Sequence, residues 1–311
     1  MSTTPSPILG VHHIGIVAHD APALARFYSR AAGLQPWPAL AALDLGGEGI
    51  ALAGPNAGLR VLPGGALPQR RPVSEAGFTH LCLQTPAITA LREAFAAEQA
   101  AFHCPLVDLG TGFLYCYARD PEHNVTELEG VAPVWSDARP WIAHVNVACA
   151  DLGAQCDFYG ALLAAPVTRS GPLARDPRMD LIADLPGVAL RMAWVPAGNL
   201  QIELIRYSEP TAAATTAQSS RREPGATGHT YLALEVTSLE AARSHLLACG
   251  GTLAGDTAAG GISLAADPEG NPIWLLARDW LEPHGASFSL LPQPDVTARF
   301  AAARATLQGA A

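Results

Sequence analysis

The stretch that decides the fold is Val11-His12-His13-Ile14-Gly15-Ile16-Val17-Ala18-His19-Asp20. Its alternation has a period of two, which predicts a β-strand with His13 on one face and His12 on the other. Asp20 is a typical N-cap residue, and the helix predicted after it carries the pair Phe27-Tyr28. The stretch therefore predicts a strand and a helix, with His13 facing a cavity and His12 packing toward the helix.

The same pattern returns later in the chain. His13 lies seven residues before Asp20, which lies seven residues before Phe27-Tyr28. Both intervals recur in a second set of residues, His144, Asp151 and Phe158-Tyr159. A turn motif is also repeated, as Asp120-Pro121-Glu122-His123-Asn124 and Asp267-Pro268-Glu269-Gly270-Asn271. Together these matches predict an internal repeat of four β-α-β-β-β units, each with short strands between Gly-rich and Pro-rich turns.

We expect the four units to form two consecutive pairs of the α+β class, since 311 residues are enough for two domains of ordinary size. The predicted domains are residues 1–133, with units 1 and 2, and residues 141–280, with units 3 and 4. Residues 134–140 are predicted to be a linker. Residues 281–311 are predicted to form a C-terminal extension with a helix capped by Asp295.

The composition excludes several classes of function. The net charge is −9 and all 19 basic residues are arginine, so a nucleic-acid partner is not expected and no Schiff-base or phosphate-loop lysine is present. The six cysteines form no C-x-x-C pair, which argues against a disulfide framework or a zinc knuckle. No apolar run has the length of a membrane span, and we expect a cytoplasmic protein.

The H-x-G-I strand, the helix with Phe-Tyr and the D-P-x-x-N turn resemble the vicinal oxygen chelate superfamily, which includes glyoxalases, epimerases, bleomycin-resistance proteins and type I extradiol dioxygenases. The resemblance covers residues 8–279. It implies that each unit forms half of a cup-shaped sheet, and that two units close around one cavity. It also implies that metal ligands come from the first and last strands of the paired units.

In the first predicted pair, the ligand positions hold His13, Arg60, His80 and Glu127. Glyoxalases and epimerases of the superfamily keep four protein ligands, usually with Glu or Gln where this chain has Arg60. Two imidazoles and one carboxylate leave open coordination positions, which suits Fe(II) and oxygen chemistry. The resemblance thus predicts a metal site of His13, His80 and Glu127 with Fe(II) as the expected metal; Mn(II), Zn(II) and Ni(II) are alternatives.

In the second predicted pair, the same positions hold His144, Glu203, Tyr231 and Trp274. A tryptophan cannot bind a metal and would fill the cup, so this pair is expected to be structural. A metal held by His144, Glu203 and His229 is the alternative.

Candidate catalytic residues also follow from the resemblance. Tyr117 stands where the extradiol signature has a tyrosine, which implies a hydrogen bond to substrate or oxygen, and Tyr115 is the runner-up. The chain has no histidine where that signature places one a few residues earlier. His103 or His123 would have to replace it as the acid-base group.

Three functions remain open from the sequence. The first is an Fe(II) dioxygenase that cleaves a catechol-like small aromatic with O2. The second is a metal-dependent lyase, isomerase or epimerase, in which the metal acts as a Lewis acid. The third is a binding protein that sequesters a small molecule without turnover. A homodimer is expected in each case.

Overall fold

The computed structural model describes residues 6–45, 47–131, 139–210, 226–256 and 260–292. Most of the predicted linker lies outside these ranges, and so does the predicted helix after Asp295. No helix within the described ranges is both long enough and apolar enough to cross a membrane.

Four modules follow one another along the chain. Module 1 contains β1 (Ile8–Ala18), α1 (Ala21–Ala31), β2 (Gln35–Pro36), α2 (Pro38–Ala41), β3 (Ile50–Ala53) and β4 (Gly58–Pro63). Module 2 contains β5 (Gly77–Thr85), α3 (Ile88–Ala97), β6 (Ala101–Phe102), β7 (Val107–Asp108), β8 (Leu114–Arg119) and β9 (Val125–Gly130). Module 3 contains β10 (Trp141–Ala148), α4 (Leu152–Leu162), β11 (Thr168–Ala174), α5 (Pro177–Ala183), β12 (Ala189–Pro196) and β13 (Gln201–Glu209). Module 4 contains β14 (Gly228–Val236), α6 (Leu239–Ala248), β15 (Thr252–Asp256), β16 (Ile262–Ala266) and β17 (Pro272–Ala277), followed by α7 (Arg278–Leu281) and two 3-10 turns, Glu282–His284 and Phe288–Leu290.

The repeated motifs form the same local structures in both halves of the chain. Asp20 caps α1 by accepting a hydrogen bond from the Ala23 amide at 2.9 Å, and Asp151 caps α4 in the same way. In the turn, Asp120 accepts from the amides two and four residues further on, at 2.8 and 3.0 Å, and Asp267 does so at 2.9 and 2.9 Å. The predicted caps and turns are therefore confirmed. Helix α2 begins at Pro38, a position where the missing amide of proline costs no hydrogen bond.

The modules build two large mixed sheets. Each sheet combines two modules, but not the two that were predicted to pair. One sheet joins modules 1 and 4 in the order β15-β16-β17-β14-β1-β4-β3-β2. The other joins modules 2 and 3 in the order β11-β12-β13-β10-β5-β9-β8-β6, with β7 paired to β8. At the centre of each sheet two modules meet through an antiparallel pair, β1 with β14 and β10 with β5.

The prediction that modules 1 and 2 form one cup and modules 3 and 4 the other is therefore wrong. Residues 131–140 connect β9 to β10, two strands of the same sheet, and so do not separate two sheets. The predicted domains 1–133 and 141–280 each contribute to both sheets. The physical reason is that all four first strands are buried apolar strands with similar patterns, so the local sequence of β1 does not specify which partner it pairs with.

Consecutive modules instead contact each other through their helices and turns. The Tyr28 hydroxyl of module 1 donates to Asp120 of module 2 at 2.9 Å, and Tyr159 of module 3 donates to Asp267 of module 4 at 3.2 Å. Phe27 also packs edge-on against Phe95 of α3, with ring centroids 5.3 Å apart. The Phe-Tyr pairs of the repeat thus join one sheet to the other.

Candidate active site

The strand register defines equivalent positions in the two sheets. In the sheet of modules 2 and 3, Glu127 pairs with Cys82, which follows His80 by two residues. In the same way, Glu203 pairs with Asn146, which follows His144 by two residues. The corresponding positions in the other sheet hold the residues His13, Arg60, Tyr231 and Trp274. We call the first set (His80, Glu127, His144, Glu203) the open cup and the second set (His13, Arg60, Tyr231, Trp274) the filled cup.

The open cup brings four ligand-type side chains together. One ligand atom from each of His80, Glu127, His144 and Glu203 lies within 4.8 Å of all the others, and all four residues are buried. His144 Nε2 is 2.9 Å from Glu127 Oε2 and 3.3 Å from Glu203 Oε2. His80 Nε2 is 3.3 and 3.4 Å from the same two oxygens. Both imidazoles thus present Nε2 to the same pair of carboxylate oxygens.

A hydrogen-bonded chain orients the ligands of the two modules relative to each other. Thr79 Oγ1 donates to Asn146 Oδ1 at 2.5 Å, and Asn146 Nδ2 donates to Glu203 Oε2 at 3.1 Å. Thr79 Oγ1 is also 3.2 Å from His80 Nδ1, and because its hydroxyl proton is used, it accepts the Nδ1 proton. This arrangement leaves His80 Nε2 as the nitrogen with a lone pair for the cluster.

The buried carboxylates of the open cup favour positive charge on their neighbours, as the pKa values of the two histidines show. Burial alone would lower the pKa of His144, but the charges of Glu203 and Glu127 outweigh it and raise that pKa to about 9. The pKa of His80 is raised by the same two carboxylates against the effect of its burial. Although burial opposes it, the imidazoles hold the pKa of Glu127 below its usual range. Without a metal, protons on the imidazoles supply the charge that two buried carboxylates require.

This donor set fits a divalent metal ion. Two imidazoles and two carboxylates are ligands that Zn(II), Mn(II), Ni(II) and Fe(II) all accept, and the orientation of His80 by Thr79 is typical of such sites. A dication would also take over the charge compensation that the protonated imidazoles otherwise provide.

A cavity of about 490 Å³ opens beside the cluster. Glu127, His144 and Glu203 lie on its surface, so the cluster is accessible to a small molecule. The cavity is also lined by aromatic side chains from modules 2 and 3: Phe113, Tyr115, Tyr117, Trp194 and Tyr207. Its volume lies within the range of small-molecule sites.

The filled cup shows why His13 does not join this cluster. His13 lies in the other sheet, where its Nε2 atom accepts a hydrogen bond from the Tyr231 hydroxyl at 2.9 Å. Its Nδ1 atom is 2.8 Å from Nδ1 of His12, and His12 Nε2 donates to the Ala286 carbonyl at 2.6 Å. Because a carbonyl can only accept, this chain of bonds fixes both rings as neutral tautomers, with His13 Nδ1 donating to His12. The predicted three-ligand site of His13, His80 and Glu127 is therefore wrong, because His80 and Glu127 lie together in the cluster and His13 does not.

Large side chains occupy the rest of the filled cup. The rings of Tyr231 and Trp274 stack with centroids 4.1 Å apart, and the Arg60 guanidinium lies 5.9 Å from the Trp274 ring centroid. A Cβ atom on Gly15 would lie 1.9 Å from the Tyr231 ring, so only glycine leaves room for this tyrosine. The position equivalent to Gly15 in the open cup is Asn146. The prediction that Trp274 fills its cup agrees with this packing, but module 1, with Arg60, completes this cup where module 3 was expected.

The prediction that His12 points away from His13 is wrong. In the pairing of β1 with β14, Val11 lies opposite Leu234 and His13 lies opposite the adjacent residue Ala233, so His12 is an extra residue in β1. Such a β-bulge interrupts the alternation of side chains, and it places both imidazoles side by side.

The two candidate tyrosines both line the cavity of the open cup. The Tyr117 hydroxyl is 3.4 Å from His80 Nε2, whereas the Tyr115 hydroxyl bonds to Thr111 Oγ1 at 2.9 Å. Tyr117 is thus the tyrosine that reaches the cluster. Burial, reinforced by the charge of Glu127, raises its pKa well above the usual value, so its hydroxyl stays protonated.

The two candidate acid-base histidines lie outside this group of residues. His103 Nδ1 donates to the Ile182 carbonyl at 2.9 Å, and its ring centroid is 5.9 Å from that of Tyr117. His123 is exposed in the turn after Asp120 with φ of 67°. The structure brings neither imidazole into the four-residue cluster.

Sequence reasoning assigned His144 and Glu203 to a structural cup and so missed their place beside His80 and Glu127. A signal was present in the sequence. Pairing modules 2 and 3 gives His, Glu, His and Glu at the four ligand positions, whereas any other pairing includes at least one residue that cannot bind a metal. The His144–Glu203–His229 alternative is also wrong, since His229 is absent from the cluster.

Comparison with known proteins supports the fold. A family model described as a glyoxalase-like domain matches residues 144–276, which span modules 3 and 4. Glyoxalase I from Zea mays superposes with a TM-score of 0.63 at 16% identity, covering 89% of this chain and 96% of that chain. The chain has the two-domain fold of the vicinal oxygen chelate superfamily. A candidate dioxygenase from Bacillus subtilis subsp. subtilis str. 168 has the same fold, with a TM-score of 0.62, 11% identity and coverage of 94% of this chain and 92% of that chain. No curated protein sequence matches the chain.

Proposed function

We propose that this protein is a metal-dependent lyase or isomerase that moves a proton on a carbon next to a carbonyl or hydroxyl group. The observation that carries the proposal is the complete set of four ligand-type side chains in the open cup. The resemblance associates glyoxalases and epimerases with four protein ligands, usually with Glu or Gln at the position of Arg60, and Glu203 stands at the equivalent position of module 3. The fold shared with maize glyoxalase I agrees with this assignment.

A divalent metal held by His80, Glu127, His144 and Glu203 would act as a Lewis acid and stabilise negative charge on a substrate oxygen. Zn(II), Ni(II), Mn(II) and Fe(II) all suit these donors. The oriented imidazoles and the buried carboxylates place their donor atoms within reach of one ion.

The two carboxylates differ in how they are held, and this suggests different roles. Glu203 accepts from Trp194 Nε1 on Oε1 at 3.1 Å and from Asn146 Nδ2 on Oε2 at 3.1 Å. The bonds to Glu127 come from the imidazoles of His80 and His144. Glu203 is thus anchored by neutral donors on both oxygens. Glu127 is the carboxylate that can turn toward the cavity and accept the substrate proton.

Tyr117 is proposed to donate a hydrogen bond to a substrate oxygen. It lines the cavity, lies next to His80 and stays protonated because burial raises its pKa. A protonated hydroxyl at this place can stabilise negative charge on the substrate without transferring its proton.

An extradiol-type dioxygenase for a catechol-like aromatic is the second candidate. The position of Tyr117 beside His80 and the aromatic lining of the cavity favour it. Its predicted ligand set included His13, which bonds instead to Tyr231. The proposal of Fe(II) and O2 therefore has to use the four-residue cluster.

The experiment that separates these candidates is a proton-exchange assay without oxygen. Protein loaded with Zn(II), Ni(II), Mn(II) or Fe(II) is incubated with 2-hydroxyacetophenone in D2O, and the loss of the α-CH2 signal is followed by NMR. Metal-dependent exchange that is absent in Glu127→Gln is expected. Fe(II)-dependent O2 uptake with 4-substituted catechols, without exchange, would replace the first candidate with the second.

A further inference from the structure

The charges around the cavity of the open cup restrict what can bind there. Besides Glu127 and Glu203, the carboxyl groups of Glu129 and Asp176 line the cavity. Among the described residues that line it, none is an arginine, and the chain has no lysine. A dication on the cluster offsets two of these carboxylates, and none of the described wall residues offers a fixed positive charge to an anion.

One arginine beside this wall is already paired with a carboxylate of the wall. Arg178 pairs with Asp176, with Nη2 and Oδ2 2.8 Å apart, and it donates to the Asp108 carbonyl at 2.9 Å. Gln84 likewise donates to Glu129 at 2.7 Å. Arg178 and Gln84 are therefore bonded to carboxylates of the wall.

Both modules also contribute apolar side chains to the wall. Module 2 contributes Leu109 and Phe113, and module 3 contributes Met179, Leu190 and Met192. Such a surface favours rings and alkyl groups through burial of apolar area. It offers no compensation to a charged substituent, whose transfer from water without a partner is costly.

We infer that the substrate of the open cup is an uncharged, largely apolar molecule whose oxygens face the ligand cluster, and that carboxylate-bearing or phosphate-bearing substituents remote from the cluster are rejected. This inference rests on the proposed function for the statement that the bound molecule is a substrate. The preference for uncharged molecules rests on the cavity walls alone and can be measured by binding.

Two probes of matched size test it. The compounds 4-(2-hydroxyacetyl)benzamide and 4-(2-hydroxyacetyl)benzoate share the ring and the vicinal oxygens, and they differ only in the charge at the far end of the ring. Their dissociation constants are measured by titration calorimetry with Zn(II)-loaded protein and with chelator-treated protein. We expect the benzamide to bind at least roughly tenfold more tightly, because the benzoate loses its hydration without gaining a partner.

Two variants place a positive charge in the wall. Met192→Arg introduces it at a half-buried lining position, with Met192→Leu as the neutral control. Ser170→Arg introduces it at an exposed lining position, where folding is not at risk. Either arginine is expected to reduce or reverse the preference for the benzamide over the benzoate. Met192→Leu is expected to retain this preference.

Equal or tighter binding of the benzoate to the wild-type protein overturns the inference, and so does the lack of measurable binding of either probe. An unchanged preference in both arginine variants also overturns it. Tight binding of the benzamide without any proton exchange would retain the preference for uncharged molecules and contradict the proposed lyase or isomerase activity, so the two failures are distinguishable.

Discussion

The two cups of this molecule are built from equivalent strands in equivalent register, but their interiors differ. In the open cup, His80 and His144 present Nε2 to two carboxylates, and a cavity of about 490 Å³ adjoins them. In the filled cup, the equivalent His13 uses Nε2 to accept from Tyr231, and Trp274 stacks on that tyrosine. The scaffold therefore does not by itself make a metal site.

The difference teaches that a ligand position has to be both chemically suitable and free of internal partners. His13 is a suitable ligand, but its lone pair is used within a chain of hydrogen bonds that ends at the Ala286 carbonyl. The pKa values show the same contrast. Burial, reinforced by the proximity of His12 and Arg60, lowers the pKa of His13, whereas the carboxylates raise the pKa of His144 to about 9.

The largest effect is expected from the two carboxylates of the open cup. Glu127→Gln removes the proposed proton acceptor and should lower kcat by about 10²–10⁴ at saturating metal. Glu203→Gln should mainly weaken metal binding, so that excess metal restores much of its activity. Steady-state exchange rates at several metal concentrations measure both. The equivalent change in the filled cup, Trp274→Phe, should leave kcat unchanged, and equal losses in both Glu variants would contradict the assigned roles.

A smaller effect is expected from the residue that orients His80. Thr79→Val keeps the shape of the side chain but removes the acceptor for His80 Nδ1 and the donor to Asn146. Metal affinity should fall by roughly 10–100-fold, as measured by competition with a chromogenic chelator. Thr230 is the equivalent residue of the filled cup, where it donates to the Gly15 carbonyl at 3.3 Å. If Thr230→Val lowers metal affinity as much as Thr79→Val does, Thr79 does not act by orienting His80.

His12, which lies beside the filled cup, should make the protein sensitive to acid. Burial lowers the pKa of His12 from 6.5 to about 4, so between these values the unfolded chain binds a proton that the folded protein does not. Stability then falls as the pH drops through this window, by about 2 kcal/mol for this residue at pH 5.

Urea unfolding of wild-type protein and His12→Gln at pH 7 and pH 5 measures this contribution. The wild-type protein should lose about 2 kcal/mol more than the variant, and effects of the open cup cancel because both proteins contain it. His19→Gln, at an exposed position, should behave like the wild-type protein. An identical pH response of all three proteins would show that His12 does not titrate in this way.

The smallest effect is expected from the Tyr231 hydroxyl. Tyr231→Phe keeps the stack on Trp274 but removes the bonds to His13 Nε2 and, at 3.5 Å, to Arg60 Nη1. The free energy of unfolding should fall by about 1–2 kcal/mol, because two buried groups lose a partner. Metal content should not change. A gain of a second bound metal in this variant would mean that Tyr231 had blocked a working site at His13.

The sequence predicted the modules well because their signals are local. The caps at Asp20 and Asp151 and the turns at Asp120 and Asp267 depend on side chains that bond to amides within four residues. Residues at the ligand positions, such as Glu127 and Glu203, were identified through the resemblance and the repeat.

The pairing of the modules could not be predicted in the same way. Whether β1 pairs with β5 or with β14 depends on packing between whole modules, since each of these strands is buried along most of its length. The bulge at His12 was also missed, because an extra residue in a strand leaves no local signal in an alternating apolar pattern. The predicted homodimer stays a prediction.

Metal stoichiometry in two equivalent histidine variants tests the central claim most directly. Wild-type protein, His144→Ala and His13→Ala are dialysed against Zn(II), Mn(II), Ni(II) or, without oxygen, Fe(II), and the bound metal is measured by mass spectrometry. We expect one ion per chain in the wild-type protein and in His13→Ala, and loss of the ion in His144→Ala. Loss of the metal in His13→Ala with retention in His144→Ala would contradict the assignment of the metal site to modules 2 and 3.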